Sequence, residues 1–271
     1  MVFPSLQSVV KEQTGWKRTN MNWSNYFTDV LIIGSRYLII ATVAFLIWYV
    51  LFRRITHSKK IQERFPVAAD YTREIGFSIL TVLIMSFIPA LVLGSPEVAR
   101  HTKFYTNINQ RGTFYFILAF PVMAIMHDTY FYWMHRIMHH PSLFKAVHLI
   151  HHKSTNPSPF AAYAFHPLEA IIEAGIFLVF VFSIPVHLIH LLFFFLFMIL
   201  YNVYGHLGWE LYPKGFSKHW IGKWINTSVN HNQHHQYFKG NYGLYFLFWD
   251  RMMGTIRKDY DEKFEEVKSK K

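Results

Sequence analysis

The sequence predicts an all-α integral membrane protein, with about four to five transmembrane or membrane-embedded helices and a histidine-rich cap on the cytoplasmic side. Hydrophobic residues make up 52% of the chain and charged residues only 16%, a balance more apolar than that of an ordinary soluble domain. Several apolar runs have the length of about 20 residues that a bilayer crossing needs. Cationic residues flank these runs, so the net charge of +11 indicates contact with an anionic membrane surface and not with nucleic acid.

The N-terminal membrane region, residues 1–113, contains two predicted spans at about residues 28–52 and 75–93. The first is long enough to cross a bilayer and has only Asp29 and Arg36 as charges. The dense cationic run RRITHSKK follows it directly, and such runs stay on the cytoplasmic side of a membrane. We therefore expect the first span to end in the cytoplasm.

The second region, residues 114–271, begins with a third apolar run at about residues 114–133. A longer apolar stretch at about residues 168–204 exceeds one crossing and contains Pro185 near its middle. We interpret this stretch as two helices joined by a turn. If the crossings alternate, all the histidine-rich segments lie on the cytoplasmic face, whether the hairpin at Pro185 spans the bilayer fully or only enters it.

The residue types that the chain lacks also limit its chemistry. It contains no cysteine, which excludes disulfides, thiolate metal sites and a cysteine nucleophile. It has no Rossmann glycine fingerprint, and without cysteine it cannot hold an iron–sulfur cluster. Residues 1–27 do not have the charged start, short apolar core and small-residue cleavage site of a secretory signal peptide, so none is expected.

Three histidine clusters lie downstream of the third and the last apolar runs. They have the spacings HxxxH, HxxHH and HxxHH and consist of His135 and His139; His148, His151 and His152; and His231, His234 and His235. Residues three and four apart share one face of a helix, so each cluster can direct its imidazoles at one point. Imidazole is the commonest metal-ligating side chain, and these clusters supply more ligands than one ordinary ion accepts. The pattern predicts two metal ions close together.

At these residues the chain resembles the sterol desaturase and fatty acid hydroxylase superfamily of membrane di-iron enzymes, and within it the sterol C5-desaturase branch. The resemblance covers about residues 127–255 and lies in DTYFYWMHRIMHH, AVHLIHHKSTNPSPFAAYAFHPLEAII and VNHNQHHQYFKGNYGLYFLFWDRMMGT. Three residues separate the histidines of the first cluster, whereas acyl-CoA desaturases typically have four there. The resemblance implies that the clustered histidines hold two iron ions that activate dioxygen.

Other polar residues beside these clusters are candidates for the same centre. The resemblance places His206 where the family usually has an additional ligand, so we expect it to bind metal as well. Ligating imidazoles usually donate their second N–H to a carboxylate or a carbonyl, and the residues expected to support the ligands in this or a similar way are Asp128, His140, His166, Glu169 and Glu210. A helix cap is an alternative role for His166, and a helix-end or interhelical hydrogen bond is one for Asp128.

The activity that the resemblance implies is an oxygen-dependent hydroxylation or desaturation of a lipid. Such an oxidoreductase of lipid metabolism would place a hydroxyl group or a double bond at an unactivated C–H bond of a sterol-like, acyl, ether-lipid or carotenoid substrate. O2 is the co-substrate, and each turnover needs two external electrons. Because the chain has no motif for a second redox cofactor, we expect a separate electron donor: a cytochrome, a ferredoxin or a reductase.

Two other classes of protein also carry histidines beside membrane helices. One is a metal transporter, whose sites are expected near the middle of the membrane on broken helices; the present clusters lie in or beside hydrophilic stretches. The other is a zinc-dependent lipid hydrolase, which would need about three ligands and for which no HExxH motif is present. The oxygenase interpretation is therefore preferred.

Overall fold

The computed structural model describes residues 22–270, so most of the segment in which no signal peptide is expected lies outside the described residues. The described chain is predominantly helical. In chain order its helices and strands are α1 (Trp23–Phe45), α2 (Arg53–Thr56), α3 (Ala68–Gly94), α4 (Pro96–Ala99), β1 (Phe104–Tyr105), α5 (Gly112–Met138), α6 (Pro141–Val147), α7 (Leu149–His152), α8 (Pro167–Ser183), β2 (Val186–His187), α9 (Leu188–Gly205), α10 (Ser228–Tyr237), α11 (Phe248–Met252) and α12 (Tyr260–Ser269).

Within residues 22–270, four helical segments are long and apolar enough to cross a membrane, which confirms the predicted all-α membrane architecture. They are Trp23–Leu51, Ala68–Gly94, Ile108–Met138 and Leu188–Gly205. The first two extend beyond the predicted ranges because helical hydrogen bonding continues into their polar flanks. Asn22 caps α1 by accepting from two backbone N–H groups, and Asp70 accepts from the Val67 N–H at the start of α3.

The apolar stretch around Pro185 forms a helical hairpin, α8 and α9, whose tip lies opposite the histidine-rich end of the bundle. At the tip, β2 pairs in parallel with β1, with Phe104 opposite Val186. The Tyr115 hydroxyl donates to the Pro185 carbonyl over 2.7 Å. Because Tyr115 lies in the first turn of α5 and His135 in its last turn, the hairpin extends along the full height of α5.

A buried loop, residues 157–165, connects the second histidine cluster to the helices around it. The Phe160 carbonyl accepts hydrogen bonds from the Tyr37 hydroxyl of α1, over 2.9 Å, and from the Ser78 hydroxyl of α3, over 3.1 Å. Asn202 of α9 donates its amide to the Ala162 carbonyl over 2.8 Å. These bonds satisfy backbone groups that have no water to bind, and they fix the loop relative to three membrane helices.

Lys60 is fully buried in the cap, at the end of the cationic run that follows the first span. Its ammonium group donates to Asn156 Oδ1 over 2.9 Å and lies near the rings of Phe65 and Trp209. Burial, with smaller contributions from the positive charges of Lys270 and Arg64, lowers the pKa of Lys60 to about 7. The folded protein therefore holds this amine largely neutral above neutral pH.

We expect the free energy of unfolding to rise with pH between about 7 and the unfolded-chain lysine pKa of about 10.4, because the unfolded state binds the extra proton in this window. Lys60→Met should reduce the rise by up to about 2 kcal/mol between about pH 7 and about pH 9. Denaturant unfolding in detergent at both pH values measures this difference. Lys59→Met, at the exposed preceding residue, is the control and should show the wild-type increase in the free energy of unfolding with pH. The same increase in all three proteins would contradict a lowered pKa of Lys60.

Candidate metal centre

Nine histidines meet at one end of the helical bundle in two compact groups. In each group, one imidazole nitrogen per residue lies within 4.8 Å of the others. The five-histidine group consists of His135, His139, His148, His152 and His234, and the four-histidine group consists of His151, His206, His231 and His235. These are the eight clustered histidines of the sequence together with His206. Each group can hold a metal ion.

The two HxxHH clusters divide their side chains between the groups. On the segment that contains α7, His148 and His152 point into the five-histidine group and His151 points into the other. On α10, His231 and His235 belong to the four-histidine group, whereas His234 crosses to the five-histidine group. Residues four apart lie on one helix face, so the histidine between them is the one that reaches the neighbouring group. Each cluster thereby contributes to both groups, instead of aiming at one point as its spacing suggested.

Hydrogen bonds from Nδ1 hold several of these imidazoles in one orientation. The acceptors are mostly backbone carbonyls, in the pairs His135 with Tyr242 O (2.9 Å), His206 with Asn202 O (2.7 Å), His234 with Gly240 O (2.7 Å) and His235 with Ser154 O (3.0 Å). His148 Nδ1 instead lies 2.7 Å from Glu169 Oε1. A carbonyl can only accept, so Nδ1 carries the proton in those pairs and Nε2 presents a bare lone pair.

Nε2 atoms of different histidines face each other at distances that suit a shared cation. His206 Nε2 and His235 Nε2 are 3.1 Å apart, although both rings have already placed their proton on Nδ1. His135 Nε2 and His148 Nε2 are 3.0 Å apart, with both Nδ1 atoms likewise engaged. Two nitrogens about 2.1 Å from a shared metal ion, at angles of about 90° to 110°, lie about 3.0–3.4 Å apart. The donor sets of both groups therefore fit a metal ion.

Burial keeps the imidazoles in the neutral form that binds metals. It lowers the pKa of His206 to about 4, and it lowers the pKa of His151 well below its usual value, with neighbouring imidazoles contributing in the same direction. The pKa values of His231, His234 and His235 are also well below the usual value of 6.5, for the same two reasons. No proton has to be released from these rings near neutral pH before a cation binds.

Glu169 and Glu210 both support the site, Glu169 by direct contact with an imidazole and Glu210 without one. Glu169, fully buried on α8, is the hydrogen-bond partner of His148. Glu210 contacts none of the nine imidazoles: its carboxylate accepts from the Tyr204 hydroxyl and from the Tyr212 and Val229 N–H groups. Because Val229 lies in the first turn of α10, Glu210 stabilises the N-terminus of the helix that carries the third cluster.

The remaining sequence candidates serve as caps and connectors. His140 caps α6 by accepting from the Ser142 N–H, and His166 caps α8 by accepting from the Leu168 N–H. Asp128 accepts from the backbone N–H groups of Tyr245 and Phe246, over 2.8 and 3.0 Å. It thus joins α5 to the loop after α10 and receives no imidazole N–H; the bonds run from helix to loop, so they are neither the expected support of a ligand nor an interhelical or helix-end bond.

Asp250, which the sequence reasoning did not single out, fixes the same loop. Its Oδ1 accepts from the Tyr242 N–H over 2.9 Å and its Oδ2 accepts from the Gly243 N–H over 2.7 Å. The Thr255 hydroxyl donates to Oδ1 over 2.7 Å. Because the Tyr242 carbonyl accepts from His135, Asp250 orients a candidate ligand through one peptide unit. The sequence signal for Asp250 is its place in FWDRMMGT, within a stretch that carries the family resemblance.

An apolar cavity inside the helical bundle adjoins both histidine groups. Phe131 lines it and packs on His135, with ring centres 4.9 Å apart; Phe165 lines it and packs on His151 at 5.1 Å. Asn202 also lines it, and its carbonyl is the acceptor for His206. The cavity therefore reaches residues that contact imidazoles of each group, so a single side chain separates an apolar molecule inside it from an imidazole of either group.

Comparison with known proteins identifies the family of the chain. Residues 120–255 match the fatty acid hydroxylase family. The chain is also 32% identical over 256 residues to a Delta(7)-sterol 5(6)-desaturase of Aspergillus fumigatus, covering 93% of this chain and 68% of that protein. The chain belongs to the sterol desaturase and fatty acid hydroxylase superfamily. This membership confirms the resemblance seen in the sequence and assigns the chain to the lipid desaturases and hydroxylases, which are oxidoreductases.

Other members of the superfamily are similar over shorter stretches. A Delta(7)-sterol 5(6)-desaturase of Gibberella zeae is 30% identical over 229 residues, covering 84% of this chain and 68% of that protein. Lathosterol oxidase of Rattus norvegicus is 31% identical over 188 residues, covering 69% of this chain and 61% of that enzyme. No solved structure matches the chain significantly.

Proposed function

We propose that this protein is a di-iron enzyme that uses O2 to hydroxylate or desaturate a lipid at an unactivated C–H bond. The nine histidines are the proposed iron ligands, five at one ion and four at the other. The observation that carries the proposal is the apolar cavity, which contacts imidazoles of both groups through Phe131 and Phe165. A lipid in this cavity would lie against the oxidising centre and away from bulk water.

When bound, the iron pair would supply the activation of O2 and the abstraction of hydrogen. The protein contributes neutral nitrogen ligands, which leave the positive charge of the ions uncompensated and available to oxygen. Glu169 and the carbonyls of Tyr242 and Gly240 hold His148, His135 and His234 in orientation. Hydroxylation converts R–H, O2, two electrons and two protons into R–OH and one water; desaturation consumes the same reagents, removes two hydrogens from the lipid and forms two waters.

The proposed location of the centre is the cytoplasmic face of the membrane. The cationic run that follows the first span supports this orientation by the positive-inside rule. Lys60, the last residue of that run, bonds to Asn156 beside the second cluster. Both histidine groups therefore lie at the same end of the bundle as the cationic run. A separate cytoplasmic protein, a cytochrome, ferredoxin or reductase, would then deliver the two electrons.

A sterol-like lipid is the substrate that the relatives favour among the sterol-like, acyl, ether-lipid and carotenoid alternatives. The similar enzymes of Aspergillus fumigatus and Gibberella zeae are sterol desaturases by name. The rigid aromatic walls provided by Phe131, Phe165 and Phe177 suit a flat, stiff ring system.

Incubating the purified, iron-loaded protein with 18O2, an electron-donor system and the extracted host lipids tests the proposal. We expect O2 consumption that depends on lipid, together with a product detected by mass spectrometry. Hydroxylation adds one 18O atom to a lipid, whereas desaturation removes two hydrogens without label. Lathosterol is included among the lipids. Iron-loaded protein that shows neither lipid-dependent O2 consumption nor an oxidised lipid product would refute the proposed oxygenase activity.

A further inference from the structure

Glu173 places an acidic group in the wall of the apolar cavity. The residue lies on α8, is 8% exposed and lines the cavity beside Ala174 and Phe177. Among the described residues it has no hydrogen-bond or ion-pair partner, although buried polar side chains nearly always have one. An acid in an apolar, membrane-embedded setting is costly unless a ligand or another group satisfies it. The cavity therefore has one polar anchor point without a protein partner.

The position of Glu173 relative to the metal centre follows from the helix that carries it. Glu169, four residues earlier on α8, bonds to His148 of the five-histidine group. Residues four apart lie on the same helix face, about 6 Å apart. Glu173, which lines the cavity, thus lies one helical turn from a residue that contacts a proposed iron ligand.

Arg36 of α1 lines the same cavity and forms no ion pair with Glu173 among the described residues. The Glu173 carboxyl group is therefore not neutralised by the one arginine of the cavity lining, and it remains available to a polar group of a ligand.

We propose that Glu173 binds a hydroxyl group of the lipid substrate, close to the carbon that is oxidised. This inference rests on the proposed function and narrows its substrate class to lipids with a free hydroxyl group near the reacting position. It excludes hydrocarbon carotenoids and acyl thioesters, which offer no hydroxyl hydrogen to a carboxylate. Glu173 is then a specificity-determining residue, since the hydroxyl anchor sets which carbon faces the metal centre.

Binding measurements that need no turnover test this assignment. The probes are radiolabelled lathosterol, octadecanol and an alkylglycerol, each compared with the same lipid capped as its methyl ether. For at least one alcohol, wild-type protein should bind the free form more tightly, and Glu173→Leu should weaken that binding roughly tenfold or more while leaving the ether unchanged. Glu173→Gln, which keeps a hydrogen-bonding amide, should fall between them. Ile171→Ala, at a 52% exposed residue of the same helix, is the control for helix disturbance.

Iron content measured in parallel separates the possible failures. Equal binding of alcohol and ether by the wild-type protein for all three lipids, or equal weakening of both by Glu173→Leu, would overturn the assignment. If Glu173-dependent alcohol binding is found in an iron-loaded protein that forms no oxidised product, the hydroxyl site stands and the oxygenase proposal fails. If products form with no effect of Glu173→Leu on KM, the oxygenase stands and the hydroxyl site is refuted.

Discussion

His234→Ala is expected to remove iron from the five-histidine group and leave the four-histidine group loaded, and His235→Ala is expected to do the opposite. The two residues are adjacent on α10, but their imidazoles belong to different groups. Each single variant should therefore bind about one iron per chain and the double variant about none, whereas wild type binds about two. Activity should fall by more than about 100-fold in all three, since loss of a ligand exceeds the effect of losing its hydrogen-bond partner.

Metal analysis by mass spectrometry of the detergent-purified proteins measures this result, with circular dichroism to verify the helical fold. His219→Ala is the matched control: His219 is exposed, it belongs to neither histidine group, and its ring accepts from the Ile221 N–H and lies against Trp220. This variant should retain wild-type iron and activity. Equal loss of iron from both sites in each single variant would contradict two separable metal positions.

The division of the HxxHH clusters illustrates what sequence spacing could and could not predict. Spacings of three and four residues place imidazoles near one another on a helix, and the structure brings all the clustered histidines together. Which group each imidazole enters depends on how α7 and α10 are rotated toward α5. That rotation is set by distant contacts, such as the bond from His235 to the Ser154 carbonyl and from His135 to the Tyr242 carbonyl. No local pattern encodes these pairs.

The membrane architecture was more predictable because it depends on composition along single segments. Apolar runs indicated the spanning helices, and Pro185 indicated the turn of the α8–α9 hairpin. The depth of the hairpin could not be predicted, since it depends on the pairing of β1 with β2 at residues 82 positions apart. Among the supporting polar residues, His140 and His166 bond within their own turns. Asp128 and Asp250 both bond to the loop after α10, which is far from Asp128 in the sequence and close to Asp250. Only the folded chain shows that these two carboxylates hold the same loop.

Asp250→Asn is expected to lower iron affinity about 10–100-fold although Asp250 touches no metal position. The fully buried carboxylate accepts from two backbone N–H groups, those of Tyr242 and Gly243, and from the Thr255 hydroxyl. An amide has only one oxygen, so its NH2 group must face at least one N–H donor, and that donor is left without a partner. The free energy of unfolding should fall by about 2–4 kcal/mol.

The reason why the defect should reach the metal is geometric. The Tyr242 N–H and the Tyr242 carbonyl belong to the same short loop, and the carbonyl fixes the His135 ring through Nδ1; Gly240, two residues earlier, fixes His234 in the same way. Both imidazoles belong to the five-histidine group. Releasing the loop should therefore weaken iron binding at that group and leave iron binding at the four-histidine group unchanged.

Iron titration of Asp250→Asn should therefore show one weakened and one normal site, whereas a general loss of folding would weaken both. Asp259→Asn is the control, since Asp259 is half-exposed and pairs only with Arg257 at the surface, where such a pair contributes at most about 1 kcal/mol. Two normal sites in Asp250→Asn would show that the loop keeps its position without the carboxylate. One selectively weakened site would establish that the loop after α10 positions the ligands of a single ion.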